Sequence, residues 1–154
     1  MTTQAQAPFS TGDFFDEIGK RYEIAYDGSG GQQRSLQWLL SNLPAGSTIL
    51  DVGSGTGRPA AKVLSDAGHA VTSVDISPVM VELARKQVPD ATFVVRDARA
   101  WEPEGGDGSV DCVVTFFGMI TGVSQDDIRA FILRVHRWLR PGGSLCVSVN
   151  SYAR

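Results

Sequence analysis

Asp51-Val-Gly-Ser-Gly-Thr-Gly57 is the stretch that decides the fold of this 154-residue chain. It follows a short apolar run at 49–52 and precedes a helical segment near 58–67. Glycines at 53, 55 and 57 permit a sharp turn and let a ligand approach bare backbone. The helix that begins beyond them offers unpaired amide groups to that ligand.

Working outward, the runs 70–74, 92–95, 110–116 and 144–149 read as four more strands. They are nearly continuous in apolar residues, the pattern of strands covered on both faces in a parallel sheet. Helical segments near 78–87 and 125–139 alternate with them, the first opened by a capping Ser77 and by Pro78 at the first helical position. Repeated strand, helix, strand order predicts a doubly wound α/β domain, Rossmann-like, with a mostly parallel sheet, helices on both faces and right-handed crossovers. Toward the N-terminus, residues 1–10 read as a disordered leader with little to bury. Residues 11–46 read as a helical lid or cap. Phe14, Phe15 and Ile18 recur at helical spacing, Asp27-Gly-Ser-Gly-Gly31 marks a break, and Leu36, Leu39, Leu40 and Leu43 share the face of a second helix. The core then runs from 47 to 154.

A net charge of −3 gives no general attraction to nucleic acid or anionic membranes. The densest basic group, Arg134, Arg137 and Arg140, has helical spacing and reads as a solvated face. Neither a membrane-length apolar run nor a signal peptide is visible, and the expected compartment is the cytoplasm. Cys112 and Cys146 lie in strand-like runs and read as free, reduced thiols, with no cysteine or histidine cluster to suggest a metal. Trp38, Trp101 and Trp138 read as packing residues, and neither His69 nor His136 stands where a ligand would bind.

Three carboxylates give the glycine loop its chemistry. Asp75 closes the second strand, where it can bond the hydroxyls of a ribose. Asp97 closes the third and suits an adenine amino group, while Asp51 stands two residues before the first glycine. A carboxylate there repels a pyrophosphate and attracts a cationic amino acid and sulfonium. The spacing is G-x-G-x-G with Arg58 next, not the dinucleotide fingerprint G-x-G-x-x-G, which disfavours an NAD-dependent oxidoreductase.

In order and spacing these motifs resemble those of class I S-adenosylmethionine-dependent methyltransferases, of the kind that acts on small molecules in bacterial secondary metabolism or quinone biosynthesis. Asp51-Val-Gly-Ser-Gly-Thr-Gly-Arg-Pro59 is similar to the first motif, Val74-Asp75-Ile-Ser-Pro-Val-Met80 to the second, and Asp97-Ala98 to the adenine motif. Asp107–Phe117 and Leu139-Arg-Pro-Gly-Gly143 are similar to the fourth-strand motif and the turn before the fifth strand. The resemblance implies that Gly53, Ser54, Gly55 and Gly57 cradle the methionine part of S-adenosylmethionine, with Asp51 near its ammonium group. It implies Asp75 on the ribose, Ile76 and Met80 against the adenine, and Asp97 with the Ala98 amide at the adenine edge. Thr115 and Phe116 would face the methionine moiety, and Tyr22 and Tyr26 would belong to an N-terminal lid or to the core.

The implied reaction is in-line methyl transfer to a small-molecule acceptor, leaving S-adenosylhomocysteine. No residue stands out as a catalytic base. Thr115-Phe-Phe-Gly118 is unlike the signature of enzymes that methylate nucleic acid bases, so no nucleic acid partner is expected. The family ordinarily adds two further strands beside the fifth. Three readings of the ending at Arg154 stand open: a fragment, a homodimer that covers the fifth-strand edge, or a non-catalytic cofactor-binding module.

Overall fold

The computed structural model describes residues 11–19, 21, 30–119 and 122–148. Five helices and five strands are seen among them: α1 (Thr11–Ile18), α2 (Gly30–Asn42), β1 (Thr48–Val52), α3 (Ala60–Asp66), β2 (Ala70–Asp75), α4 (Pro78–Gln87), β3 (Thr92–Val95), β4 (Val110–Phe116), α5 (Gln125–Trp138) and β5 (Leu139–Ser148). The sheet order is β3-β2-β1-β4-β5, and every neighbouring pair is parallel. The chain winds one way from β1 and the other way from β4, the doubly wound topology expected from the sequence.

The central strands β1, β2 and β4 are covered on both faces because their alternate side chains feed two separate cores. Ile49, Val71, Phe93, Cys112 and Val114 point to the core closed by Leu36 and Leu39 of α2, Leu64 of α3 and Val81 of α4. Leu50, Val52, Val74 and Val113 point the other way, to Phe131, Val135 and Trp138 of α5. These last three are spaced four and three apart, so one stripe of α5 faces the sheet. α5 starts with a capping box, in which the Ser124 hydroxyl accepts from the Asp127 amide at 3.1 Å and Asp127 Oδ2 accepts from the Ser124 amide at 3.3 Å. At α4, Ser77 Oγ accepts from the Met80 amide at 3.0 Å, with Pro78 at the first turn.

Several expectations need correction. Gly30 and Gly31 form the first turn of α2 and not a break, and Asp27–Ser29 fall outside the described residues. Leu40 is exposed, so the α2 stripe is Leu36, Leu39 and half-buried Leu43. Trp38 is 57% exposed and packs nothing onto the sheet. α3 starts at Ala60, after Gly57 in a left-handed conformation (φ +80°) and Pro59 as the capping residue. β5 begins at Leu139, five residues early, because Leu139 pairs with Val110 before Arg140-Pro-Gly-Gly143 bulges out and pairing resumes at Cys112 and Ser144. Arg140 therefore sits on a strand, where Nη1 donates to Asp111 at 2.6 Å. Arg134, unlike Arg137 and Arg140, is not solvated, with only 17% of its side chain exposed.

Both cysteines are free. Burial pushes the Cys112 thiol up to about 12, with Cys146 and Asp111 adding to it, so this thiol stays protonated and inert.

Candidate cofactor site

A parallel sheet that reverses its winding leaves a crevice beyond the carboxyl ends of its strands. Here that crevice is an open cleft that, with the solvent space at its mouth, encloses about 770 Å³. The ends of β1, β2 and β3 floor it with Gly53, Gly55, Asp75, Ile76, Asp97 and Ala98, and Met80 of α4 joins them. These seven are among the sequence-predicted site residues, brought to one place by the strand order. Asp51, Ser54, Gly57, Thr115 and Phe116 do not line the cleft, and Tyr22 and Tyr26 lie outside the described residues.

Asp75 is the hinge of the arrangement. Its Oδ2 accepts from the Gly55 amide at 2.8 Å and its Oδ1 from the Ser77 amide at 2.9 Å. The carboxylate thereby ties the glycine loop to the start of α4. Each oxygen makes one such bond and keeps acceptor capacity for a further donor, which suits a pair of ribose hydroxyls. Burial raises the Asp75 carboxyl above its ordinary value, and the bonds from Ser77 and Gly55 pull against that.

Asp51 is buried at the end of β1, with Oδ2 lacking any hydrogen-bond partner. Burial first, then the charge of Asp75, raises its carboxyl to about 7, while the neighbouring Ser73 hydroxyl lowers it. A buried, unsatisfied acid is costly, and a nearby cation would relieve it. That observation fits a ligand carrying a positive charge.

Gly57 packs behind the loop and not along the cleft. A Cβ there would come within 3.1 Å of Phe93 Cζ and 3.3 Å of Ala84 Cβ, so this glycine lets the loop pack against β3 and α4. Phe116 turns its ring into the α2–α4 core, and Thr115 is buried with an unpartnered hydroxyl. The next two residues reach the cleft instead. Phe117 has φ +62°, a conformation uncommon for a residue with a side chain, and lines the cleft with Gly118. Gly118 lies so close to the glycine loop that a Cβ on Gly53 would meet Gly118 Cα at 2.4 Å. Apolar character continuing past the end of β4 was the only sequence signal for this contact.

Thr11 and Phe15 of α1 form part of the opposite wall. Asp16, one residue on, anchors the helix: its Oδ1 accepts from Ser77 Oγ and, at 3.3 Å, from the Val79 amide at the start of α4. Arg99, which sequence reasoning passed over, also lines the cleft. Its Nη2 donates to Asp97 Oδ2 at 2.6 Å and its amide to Asp97 Oδ1 at 2.9 Å. The Arg99 bonds hold the Asp97 carboxyl below its ordinary value.

Among known proteins the chain is 34% identical over 153 residues to a demethylmenaquinone methyltransferase of Beutenbergia cavernae, covering 92% of this chain and 58% of that protein. It is 37% identical over 116 residues to a 2-methyl-6-phytyl-1,4-hydroquinone methyltransferase of Synechocystis, covering 73% and 35%. A solved structure of a Haloferax volcanii putative methyltransferase, in complex with the Trm112 activator, superposes with a TM-score of 0.71 at 27% identity, over 88% of this chain and 58% of that one. A Haemonchus contortus N-methyltransferase in complex with phosphomonomethylethanolamine and S-adenosylhomocysteine has the same TM-score, 0.71, at 26% identity, over 89% and 33%. The chain thus spans between 46% and 60% of the length of five bacterial demethylmenaquinone methyltransferases that it matches. Residues 49–143, from β1 through the bulge of β5, match the family described as "Methyltransferase domain", and the chain belongs to that family.

Proposed function

We propose that this chain binds S-adenosylmethionine in the cleft at the strand ends and serves methyl transfer to a small-molecule acceptor. The observation that carries the reading is Asp75, held by the Gly55 and Ser77 amides on the same cleft floor as Asp97 and the Ala98 amide. In this reading Asp75 takes the ribose hydroxyls, Ile76 and Met80 flank the adenine, and Asp97 and Ala98 recognise its edge. Gly53 and Gly55 bring bare backbone to the methionine moiety, and Asp51 supplies negative charge beneath it. Thr11 and Phe15 of α1 close the cleft as a lid and exclude water.

The cofactor supplies an already activated methyl group. The chain's own part is to align that group with the acceptor and to desolvate the approach, work that needs no covalent intermediate. Small-molecule acceptors of the matched relatives, quinones and hydroquinones by name, support the acceptor class. A net charge of −3 speaks against nucleic acid, and no described helix is long and apolar enough to cross a membrane, in keeping with a cytoplasmic site of action. The outer edge of β5, where Val147 is 48% exposed, is the surface on which a second copy would pair.

A second reading, a cofactor-binding module without its own catalysis, uses the same cleft. Calorimetric titration with S-adenosylmethionine and S-adenosylhomocysteine, with NAD as control, tests the shared premise. Binding of both sulfur ligands and not NAD is expected; binding of NAD alone, or of none, overturns it. Transfer of a labelled methyl group to a quinol acceptor then excludes the second reading.

A further inference from the structure

The segment after β3 carries Asp97 and Ala98 but belongs to no helix or strand, so something outside it must hold its shape. That something is Arg134, more than thirty residues along the chain on α5. Its Nη1 donates to the Ala98 carbonyl at 3.1 Å and to the Arg99 carbonyl, and its Nη2 donates to the Trp101 carbonyl. Its Nε donates to Glu102 Oε1 at 3.0 Å, and the guanidinium carbon lies 5.0 Å from the centre of the Trp138 ring. Glu102 is fixed in turn by Trp138 Nε1. One planar fork thus gathers the acceptors of four residues between 98 and 102.

The peptide plane transmits this grip. In a trans peptide the carbonyl and the following N–H point in opposite directions. Arg134 draws the Ala98 carbonyl toward α5, so the Arg99 N–H points away from it, and that N–H donates to Asp97 Oδ1 at 2.9 Å. The next peptide repeats the pattern. Its Arg99 carbonyl turns to Arg134, and its Ala100 N–H donates to the Asp97 carbonyl at 3.0 Å. The main chain of Asp97 is thus held by one of the two peptides that Arg134 orients, and its side chain by the other together with the Arg99 guanidinium.

We infer that Arg134, which does not touch the cleft, is a positioning residue for adenine recognition, orienting Asp97 and Ala98 through the Ala98–Arg99–Ala100 peptides. The inference rests on the cofactor reading above, because it assumes that Asp97 and Ala98 meet the adenine edge. It assigns a specificity role to a charge that, on spacing alone, belongs to a solvated face.

The test is base discrimination by the purified chain. S-Adenosylhomocysteine and S-inosylhomocysteine differ only in the base. Hypoxanthine replaces the amino donor by a carbonyl and the ring acceptor by an N–H, mismatching both Asp97 and the Ala98 amide. Two lost hydrogen bonds, with their donors and acceptors left facing like groups, predict a wild-type preference for the adenine ligand on the order of 100-fold by calorimetry. Lysine keeps the charge of Arg134 but not the planar fork. Arg134→Lys is therefore expected to cut the preference to about tenfold or less, with adenine affinity falling most. Glu102→Gln, which loosens the fork from an exposed position and spares the fold, is expected to shift the ratio the same way by a smaller factor. A merely structural role would lower the melting temperature and leave the ratio alone. Wild-type discrimination in both variants overturns this inference while leaving the cofactor reading intact. Failure of the wild-type chain to bind S-adenosylhomocysteine overturns both.

Discussion

Gly53 and Gly46 share one backbone conformation, φ +71°, yet their surroundings differ completely. Nothing lies within 4 Å of a Cβ added at Gly46, whereas at Gly53 it would sit 2.4 Å from Gly118 Cα. Gly46→Ala is expected to cost about 1 kcal/mol through φ alone, and Gly53→Ala about 3 kcal/mol or more once backbone overlap is added. Urea unfolding of the two variants measures the difference. Asp51 sets a second contrast, in pH. Its folded carboxyl stands near 7 against an ordinary 3.8, so on raising the pH the unfolded chain releases the proton first. The folded state then binds more protons between about pH 4 and 7, and this residue's contribution to stability falls across that window. The difference in melting temperature between wild type and Asp51→Asn should accordingly move against the wild type as the pH climbs from 4 to 7; a constant difference would refute the shift. The acids at strand ends were legible because chain order alone places Asp75 and Asp97 there. The approach of Gly118 to Gly53 was not, since no local pattern reports which distant backbone presses on a loop.

At the scale of elements, α5 shows how far periodicity reaches. Its buried stripe of Phe131, Val135 and Trp138 faces the sheet, and Leu133, 70% exposed, does not. Phe131→Ala should cost about 3–5 kcal/mol, and Leu133→Ala within about 0.5 kcal/mol, by denaturant unfolding. The first depends on a cavity in the core, the second on almost nothing. α4 was readable to the residue because Ser77-Pro78 carries its own start signal. α2 and β5 were not. Gly30 and Gly31 look like a break, yet Leu36 and Leu39 dock on the sheet and tertiary packing overrides weak propensity. Pro141-Gly-Gly143 looks like a turn, yet the pairing of Leu139 with Val110 carries the strand across it as a bulge. The carboxylate of Asp16 ties α1 to the start of α4. Asp16→Ala should speed hydrogen exchange in residues 11–18 while the sheet amides keep their protection. Slowed or unchanged exchange there would show that the anchor is not what holds the helix.

For the whole molecule, fold class followed from the alternation of strand and helix, and the position of the cleft followed from the reversal of winding between β1 and β4. What the alternation could not show was how the two halves are stitched. Arg140 and the Thr48 amide both bond Asp111, fastening β1, β4 and β5 at the end opposite the cleft. Beyond β5 lies the outer edge of the sheet. If two copies pair there, sedimentation should detect concentration-dependent association of the wild type that Val147→Lys abolishes, since a charge on an edge strand opposes pairing.

The burial of Trp138 has a practical consequence. Of the three tryptophans, Trp38 is in water, Trp101 is half-buried, and Trp138 is sealed between α5 and the sheet. Its indole N–H meets the carboxylate of Glu102 and its ring meets the guanidinium of Arg134, both of which grip the segment bearing Ala98. Two opposite charges beside one chromophore make its emission sensitive to small movements of either. With Trp38 replaced by phenylalanine, the blue edge of the fluorescence spectrum becomes a label-free optical gauge of the far end of the cleft, built into the chain and readable in real time.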